Sequence, residues 1–404
     1  SLSGLKLLLL TSRLPWPLDK GDKLRAYHQL RSLHAEHEVH LFCLVGTKPS
    51  QEAIAALGEV THELHWYKMR WTARLLRMAW SPLSSRPFQV HWFYQRSAAN
   101  RISSLLDRLQ PDVVYCQLIR MAEYIKNHHE YPRVLDYMDA LSAGMMRRSL
   151  LKRLPSRWIY QIEASRLARY EASTFDYFDS HTIISVADRK LISHPDRSSI
   201  HVVPNGVDKD YYGTQVAEEK SPKSSFDTVV FTGNMSYPPN VDAACRLASD
   251  VLPLTTTSQL RLLIAGTAPT QRVKQLANER IVVTGWIPDM RWAYHQADLF
   301  VAPLRIGTGQ QNKILEAMAC GIPCITTSHV MSGFRSEHGN SAALPPLILA
   351  DTVEDTAAAI DTLLRDKTKR QELGLSSRKW IENHASWDIH SQKLVESFVH
   401  SSKH

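Results

Sequence analysis

Short runs of Val, Leu and Ile recur along the chain and alternate with longer stretches whose apolar positions follow a helical period. The spacing predicts strands at residues 7–11, 39–45, 60–67, 113–116, 134–137, 182–185 and 201–203, with a helix over 22–35. These runs lack a polar face, so they read as strands of a parallel sheet covered by helices on both sides. Hydrophobic periodicity then fails from 209 to 227. The polar, proline-bearing segment 216–225 reads as a linker between domains. A second alternating array begins at 228–231, with strands at 260–265, 281–284, 299–301 and 324–326 and helices at 353–365, 367–384 and 389–400. Two similar α/β halves would enclose a cleft.

Composition supports this division. A chain of 404 residues exceeds one typical core. With 44% hydrophobic and 22% charged residues it is globular and not disordered. Lys and Arg number 48 against 40 acidic residues. That modest excess suits an anionic ligand or membrane surface, and no clustered basic motif points to nucleic acid. Cys43, Cys116, Cys245, Cys320 and Cys324 form no Cys-x-x-Cys pair and are expected as free thiols in a reducing compartment. The leucine run 7–10 is far too short to span a bilayer. With no signal-peptide pattern seen, Asn234-Met235-Ser236 is treated as a chance sequon.

Ligands of parallel sheets bind beyond the carboxyl ends of the strands, so the loops there carry the chemistry. The most informative stretch is 302–323. It runs from a buried strand through a loop bearing Gly307, Thr308, Gly309, Gln310 and Gln311 into a helix opened by Asn312 and stopped by Gly321 and Pro323. Glycines let the backbone approach a ligand, and a helix N-terminus suits phosphate. Lys313 lies in the first turn, with Glu316 on roughly the same face. A phosphate loop, a cation and a carboxylate able to accept two hydroxyl hydrogen bonds describe a nucleotide-sugar site.

Gly233 and Asn234 follow the first strand of the second array, as Gly21, Asp22 and Lys23 follow the first strand of the chain. Asp22 is alternatively a helix cap. Trp286 and Ile287, past the strand 281–284, offer a nucleobase a stacking or packing partner; core packing is the alternative for Trp286. In the first half, Asp139 falls past a strand end, with Arg147 and Arg148 nearby, and Gln117 stands just after the strand 113–116. All suit a sugar or acceptor, although Asp139 could equally cap the next helix. Glu163, Arg166 and Glu171 read as solvated ion pairs on a long helix. Asp208-Lys209-Asp210 has metal-binding spacing but sits in a turn beside the linker, and no His/Glu cluster has zinc spacing. Trp66, Tyr67, Lys68, Arg70, Trp71, Arg74, Arg77 and Trp80 crowd one span, which suits a helix lying on an anionic membrane or a surface helix with inward tryptophans.

The motifs at 203–208, 231–235, Gly266, 285–287, 297–303 and 313–323, in this order, resemble the retaining glycosyltransferases of the GT-B fold, family four, which build cell-surface polysaccharides. The resemblance implies two Rossmann-like domains facing a cleft: 1–212 for the acceptor, joined by a C-terminal helix at 386–404 crossing back, and 213–385 for the donor. It implies that Glu316 binds ribose hydroxyls, that residues 307–311 and Lys313 meet the diphosphate, and that Trp286 and Ile287 meet the base. The chain departs from the family at three points. Thr308 replaces a sugar-contacting glutamate. Asn234 stands near the place of the diphosphate-clamping Arg and Lys. Gln117 or Asp139 takes the place of a first-domain histidine.

The expected activity is transfer of a hexose-type sugar from a UDP- or GDP-sugar to a hydroxyl of a glycan or lipid-linked glycan, with retention and without metal or cofactor. Asp139, Lys313 and Glu316 carry the chemistry, and Gly21, Asp22, Lys23, Gln117, Asp139 and Arg147 lie on the acceptor side. The expected location is cytoplasmic, peripheral at the inner face of the membrane. A sugar-nucleotide epimerase or hydrolase of the same fold and a catalytically silent binding scaffold are the rivals.

Overall fold

The computed structural model describes residues 4–150, 153–213, 226–305, 311–334 and 344–401. The chain forms two compact units, Ser1–Pro204 with His390–His404, and Asn205–Ile389. Each is a parallel sheet covered by helices.

The sheet of the first unit is built from β1 (Lys6–Thr11), β2 (Glu38–Val45), β3 (Glu63–Lys68), β4 (Val113–Gln117), β5 (Arg133–Asp136), β6 (Ser180–Ile183) and β7 (His201–Val202), in the order β3-β2-β1-β4-β5-β6-β7. The leucine run of β1 shows why these strands have no polar face. Leu7 and Leu9 enter the core on one side of the sheet, and Leu8 and Leu10 enter the core on the other. Alternation along a strand sends successive side chains to opposite faces, and helices cover both.

Inside this apolar frame lies a fully buried ion pair. Arg25, on the helix Gly21–His34, donates from Nε to Oδ2 of Asp136 at 2.7 Å and from Nη2 to Oδ1 at 3.2 Å. Its Nη1 donates to the carbonyl of Val203 at 2.9 Å. Asp136 also accepts from the Tyr115 hydroxyl at 2.7 Å and the Thr182 hydroxyl at 2.9 Å. The pair thus joins one helix to β4, β5, β6 and the segment after β7.

The second unit holds β8 (Asp227–Thr232), β9 (Leu260–Ala265), β10 (Ile281–Gly285), β11 (Leu299–Ala302), β12 (Cys324–Thr326) and β13 (Ile348–Leu349), in the order β10-β9-β8-β11-β12-β13. The sequence pattern does not announce β13, because two residues hold no period. The helix Trp387–Ser401 starts in this unit, and its later residues belong to the first, where Leu394 and Phe398 enter the core.

The exchange between units falls at 204/205 and 389/390, where the family resemblance implied 212/213 and 385/386. The cause is local: Val207 donates its N–H to Ala385 and bridges in parallel to Ser386, which ties residues 205–213 to the second unit. The expected linker at 216–225 lies outside the described residues.

The expected solvated pairs on the helix Ser156–Phe175 are instead structural. Glu163 and Glu171 are buried. Glu163 accepts from the N–H groups of Phe88 and Gln89 and so caps the helix Phe88–Phe93. Glu171 accepts from the N–H and hydroxyl of Ser142 at the start of the helix Leu141–Leu150. Orphan N–H groups at two helix starts recruit these carboxylates inward. Arg166 donates to the carbonyls of Ser81 and Pro82.

Arg25→Ala leaves Asp136 buried without its counter-charge and should destabilise the first unit by about 3–5 kcal/mol. Urea denaturation followed by circular dichroism would show this as an early transition, and an unchanged profile would contradict it.

Candidate functional site

In an open parallel sheet a ligand crevice forms where the strand order reverses, outside the carboxyl ends of the strands. In the second unit that point lies between β8 and β11. The loop after β8 carries Gly233, and the loop after β11 leads to the helix Asn312–Ala319.

Gly233 has φ +146°, and a Cβ there would meet the Asn240 amide and the Lys313 ammonium. A Cβ on Gly266 would run into the carbonyl oxygen of Gly233. At Gly266 the backbone contact leaves room for no side chain, and at Gly233 the left-handed φ favours glycine. The Asn234 side chain is spent on its own turn, accepting from the N–H and hydroxyl of Ser236 at 2.9 and 2.7 Å. Its carbonyl accepts from Nδ2 of Asn240 at 2.9 Å. The Asn240 Oδ1 accepts from Lys313 Nζ, which also lies 5.0 Å from the centre of the Phe231 ring. Burial lowers the Lys313 ammonium to about 8, while Glu316 opposes the fall.

Glu316 follows one turn later. Its Oε2 accepts from the Tyr294 hydroxyl at 2.7 Å, and Tyr212 is a second hydroxyl partner. Burial raises this carboxyl, while the two hydroxyls and Lys313 hold it down. Tyr294 also lies within hydrogen-bond distance of the Thr232 hydroxyl, at 3.0 Å, and is fully buried. A carboxylate held by two tyrosines can accept further hydroxyl hydrogen bonds, and the constrained lysine beside it, next to a glycine-opened backbone, can donate to an anion.

Trp286 stands 69% exposed past β10, which rules out the core-packing alternative for it, whereas Ile287 packs on the core of the unit. Gln311 precedes the helix Asn312–Ala319. Asn312 has a buried Oδ1 without a partner among the described residues. Gly307, Thr308, Gly309 and Gln310 lie outside the described residues.

In the first unit the strand order reverses between β1 and β4. Gly21 opens its helix with open space where a Cβ would stand. Asp22 is no cap: it pairs with Arg13 at 2.9 Å, and Lys23 pairs with Asp19 at 2.7 Å. Gln117 donates from Nε2 to the carbonyl of Asp22 at 3.0 Å. Leu118 and Met138, which follow β4 and β5, both take left-handed φ, at 69° and 61°. Such strain concentrates at ligand sites. Just beyond them stand Arg120 and Asp139. Asp139 keeps an exposed side chain, yet the protein mass around it and Asp188 raise its carboxyl to about 6, while Arg120, Arg147 and Arg148 pull it back. Glu171, not Asp139, caps the next helix.

Asp208 accepts from the N–H of Tyr211 and Asp210 pairs with Lys209, so each carboxylate of that motif serves its own turn. Pairing of His40 with Glu63 across β2 and β3 does bring His40, Glu63 and His65 together, a cluster no linear spacing reveals, but Arg108 already donates to Glu63 at 2.7 Å. Tyr212, Tyr294, Asn240 and Arg120 escape sequence reasoning. Only Asn240, two residues into a Pro-Pro helix start, carries a local signal.

Lys313 gives a pH test. Below about pH 8 folded and unfolded states both hold its proton, and the penalty of burying the charge is fully present. Between about 8 and the ordinary 10.5 the folded protein has released a proton that the unfolded chain keeps, so stability from this group rises with pH. Wild type should therefore gain on Lys313→Met in thermal denaturation as pH rises from 8 toward 10. A constant difference would contradict the assignment.

Comparison with known proteins fits this geometry. Residues 227–366, about a third of the chain, match the family model "Glycosyl transferases group 1". The match lies within the second unit. No curated protein sequence matches the chain. Among solved structures, a glycosyltransferase from Rickettsia africae aligns with a TM-score of 0.69 at 13% identity, covering 99% of each chain. The Anabaena protein HepE in complex with UDP aligns at 0.64 and 13%, covering 98% of this chain and 100% of that one. Sucrose-phosphate synthase from Thermosynechococcus elongatus aligns at 0.61 and 13%, covering 97% and 98%. The fold is that of the GT-B glycosyltransferases.

Proposed function

We propose that this chain is a retaining glycosyltransferase that moves a sugar from a nucleotide-sugar to a hydroxyl of a glycan or lipid-linked glycan in cell-surface polysaccharide synthesis. The observation that carries the reading is the Glu316 carboxylate, set beside Lys313 at the reversal point of a matched glycosyl transferase domain. Glu316 accepts the two ribose hydroxyls, and Lys313 with the N–H groups of its helix start faces the diphosphate. Trp286 and Ile287 take the base. HepE was solved with UDP-glucose, which favours a UDP donor here over a GDP donor.

In the reaction the acceptor oxygen bonds to the anomeric carbon as the bond from that carbon to the diphosphate breaks. The acceptor proton passes to a phosphate oxygen of the leaving group. Lys313 stabilises the negative charge that develops there, an effect realised in the transition state. Asp139, at the strand ends of the first unit, recognises the acceptor.

The reading extends to a membrane surface. The helix Trp71–Trp80 turns its apolar residues outward: Trp71 and Trp80 are each 69% exposed and Leu76 is 66% exposed. Its arginines turn inward instead of toward headgroups, Arg74 over Trp92 and Arg77 over Tyr94. Trp158 and Ile159, on the helix Ser156–Phe175, are exposed as well. Arg166 of that helix grips the turn Ser81–Leu83 that follows Trp80. Such an inverted amphipathic face is costly in water and suits the interfacial layer of a bilayer. No helix among the described residues is long and apolar enough to cross a membrane.

Release of UDP or GDP that depends on acceptor is expected. Turnover without acceptor would indicate the epimerase or hydrolase, and no turnover the silent scaffold. Glu316→Ala should weaken UDP binding by roughly 2–4 kcal/mol, the worth of two hydrogen bonds to a charged acceptor; equal affinities in a calorimetric titration would refute its ribose role. The protein should sediment with phosphatidylglycerol vesicles at low salt, and Trp71→Asp with Trp80→Asp should abolish this. Sedimentation unaffected by the double substitution would exclude this helix as the contact.

A further inference from the structure

A cavity of about 540 Å³ opens on the first unit at the carboxyl ends of β1, β2 and β3. Arg13, Lys20, Lys23, Lys48 and Arg74 line it, and no carboxylate side chain does. Two of these cations are already satisfied from outside the cavity, Arg13 by Asp22 and Lys23 by Asp19. Lys20, Lys48 and Arg74 have no carboxylate within ion-pair distance among the described residues. Arg74 is the most constrained of them. Its guanidinium lies 4.8 Å from the centre of the Trp92 ring, its Nη2 contacts the Met69 sulfur at 3.0 Å, and its Nε is buried without a partner among the described residues. A guanidinium fixed by an aromatic face and left with unused donors is suited to bind an anion.

The walls are not all charged. Trp16, Trp92 and Phe93 also line the cavity. Arg74 belongs to the helix Trp71–Trp80, whose outer face carries Trp71, Leu75, Leu76 and Trp80 into solvent. One helix therefore supplies a cation to the cavity on its inner side and an apolar surface on its outer side. A ligand that matches both has an anionic group joined to an apolar chain. Three cations without an ion pair among the described residues exceed the single charge of a carboxylate and fit a phosphate or diphosphate.

We propose that this cavity binds the phosphate group of an acceptor carried on an apolar chain, with the chain leaving along the Trp71–Trp80 helix. The assignment rests on the transferase reading for the word acceptor, and on the cavity alone for phosphate and chain. It places acceptor charge recognition on Lys20, Lys48 and Arg74, whereas the donor residues lie in the other unit.

Farnesyl phosphate, farnesol and inorganic phosphate, each titrated below any micellar concentration and followed by tryptophan fluorescence and calorimetry, test the proposal. Farnesyl phosphate is expected to bind at least tenfold more tightly than either of the others. Lys48→Glu and Arg74→Glu are each expected to weaken it at least fivefold and to leave UDP affinity unchanged. Lys48 stands exposed in a loop, so its substitution remains informative if Arg74→Glu disturbs the helix. Equal binding of farnesol would overturn phosphate recognition, and equal binding of inorganic phosphate would overturn the role of the chain. Farnesyl phosphate affinity indifferent to both reversals would overturn the site. UDP binding without farnesyl phosphate binding would remove the cavity proposal and keep the transferase reading. Farnesyl phosphate binding without UDP binding would keep the cavity and remove the transferase.

Discussion

The Arg25–Asp136 pair is the constraint on which the first unit depends. A charged pair with no solvent contact costs more to desolvate than its attraction returns unless every remaining donor and acceptor is used. Here the carboxylate also takes the Tyr115 and Thr182 hydroxyls, and the guanidinium also takes the Val203 carbonyl. The requirement for complete satisfaction fixes the register of β4, β5 and β6 against the helix Gly21–His34. The strand ends that carry Gln117 and Asp139 inherit that fixed register.

The second unit uses a smaller version of the same device. Glu316 is held by Tyr294 and Tyr212, Lys313 by Asn240, and Asn240 by the turn at Asn234. Each polar group is oriented by another, so the carboxylate and ammonium meet a ligand already positioned. Both units put their oriented side chains at the carboxyl edge of the sheet, because only there do loops leave backbone groups open.

The sheets were legible in the chain because strands buried on both faces advertise themselves as unbroken apolar runs. Glycine followed by a helix marked the loop at Gly233, because that signal is local as well. What escaped notice was long-range. Arg25 reads as one more polar residue on a helix, since its partner stands 111 positions away. Glu163 and Glu171 look solvated until the helix starts they cap are placed above them. Tyr294 and Tyr212 look like core aromatics, because a hydroxyl leaves no mark on hydrophobic period. The outward tryptophans of the Trp71–Trp80 helix were visible as composition, but the inward turn of Arg74 and Arg77 follows only from where Trp92 and Tyr94 pack.

The helix Trp387–Ser401 sets an order of events in the cell. Leu394 and Phe398 complete the core on one face of the first sheet, and Phe398 lies against Tyr115, the residue that bonds to Asp136. The first unit is therefore unfinished until this helix, which follows the whole second unit in the chain, has been made. Domains fold as they emerge, and an incomplete core exposes apolar surface meanwhile. For this protein the interval lasts through synthesis of the whole second unit, when a chaperone has its longest opportunity to bind.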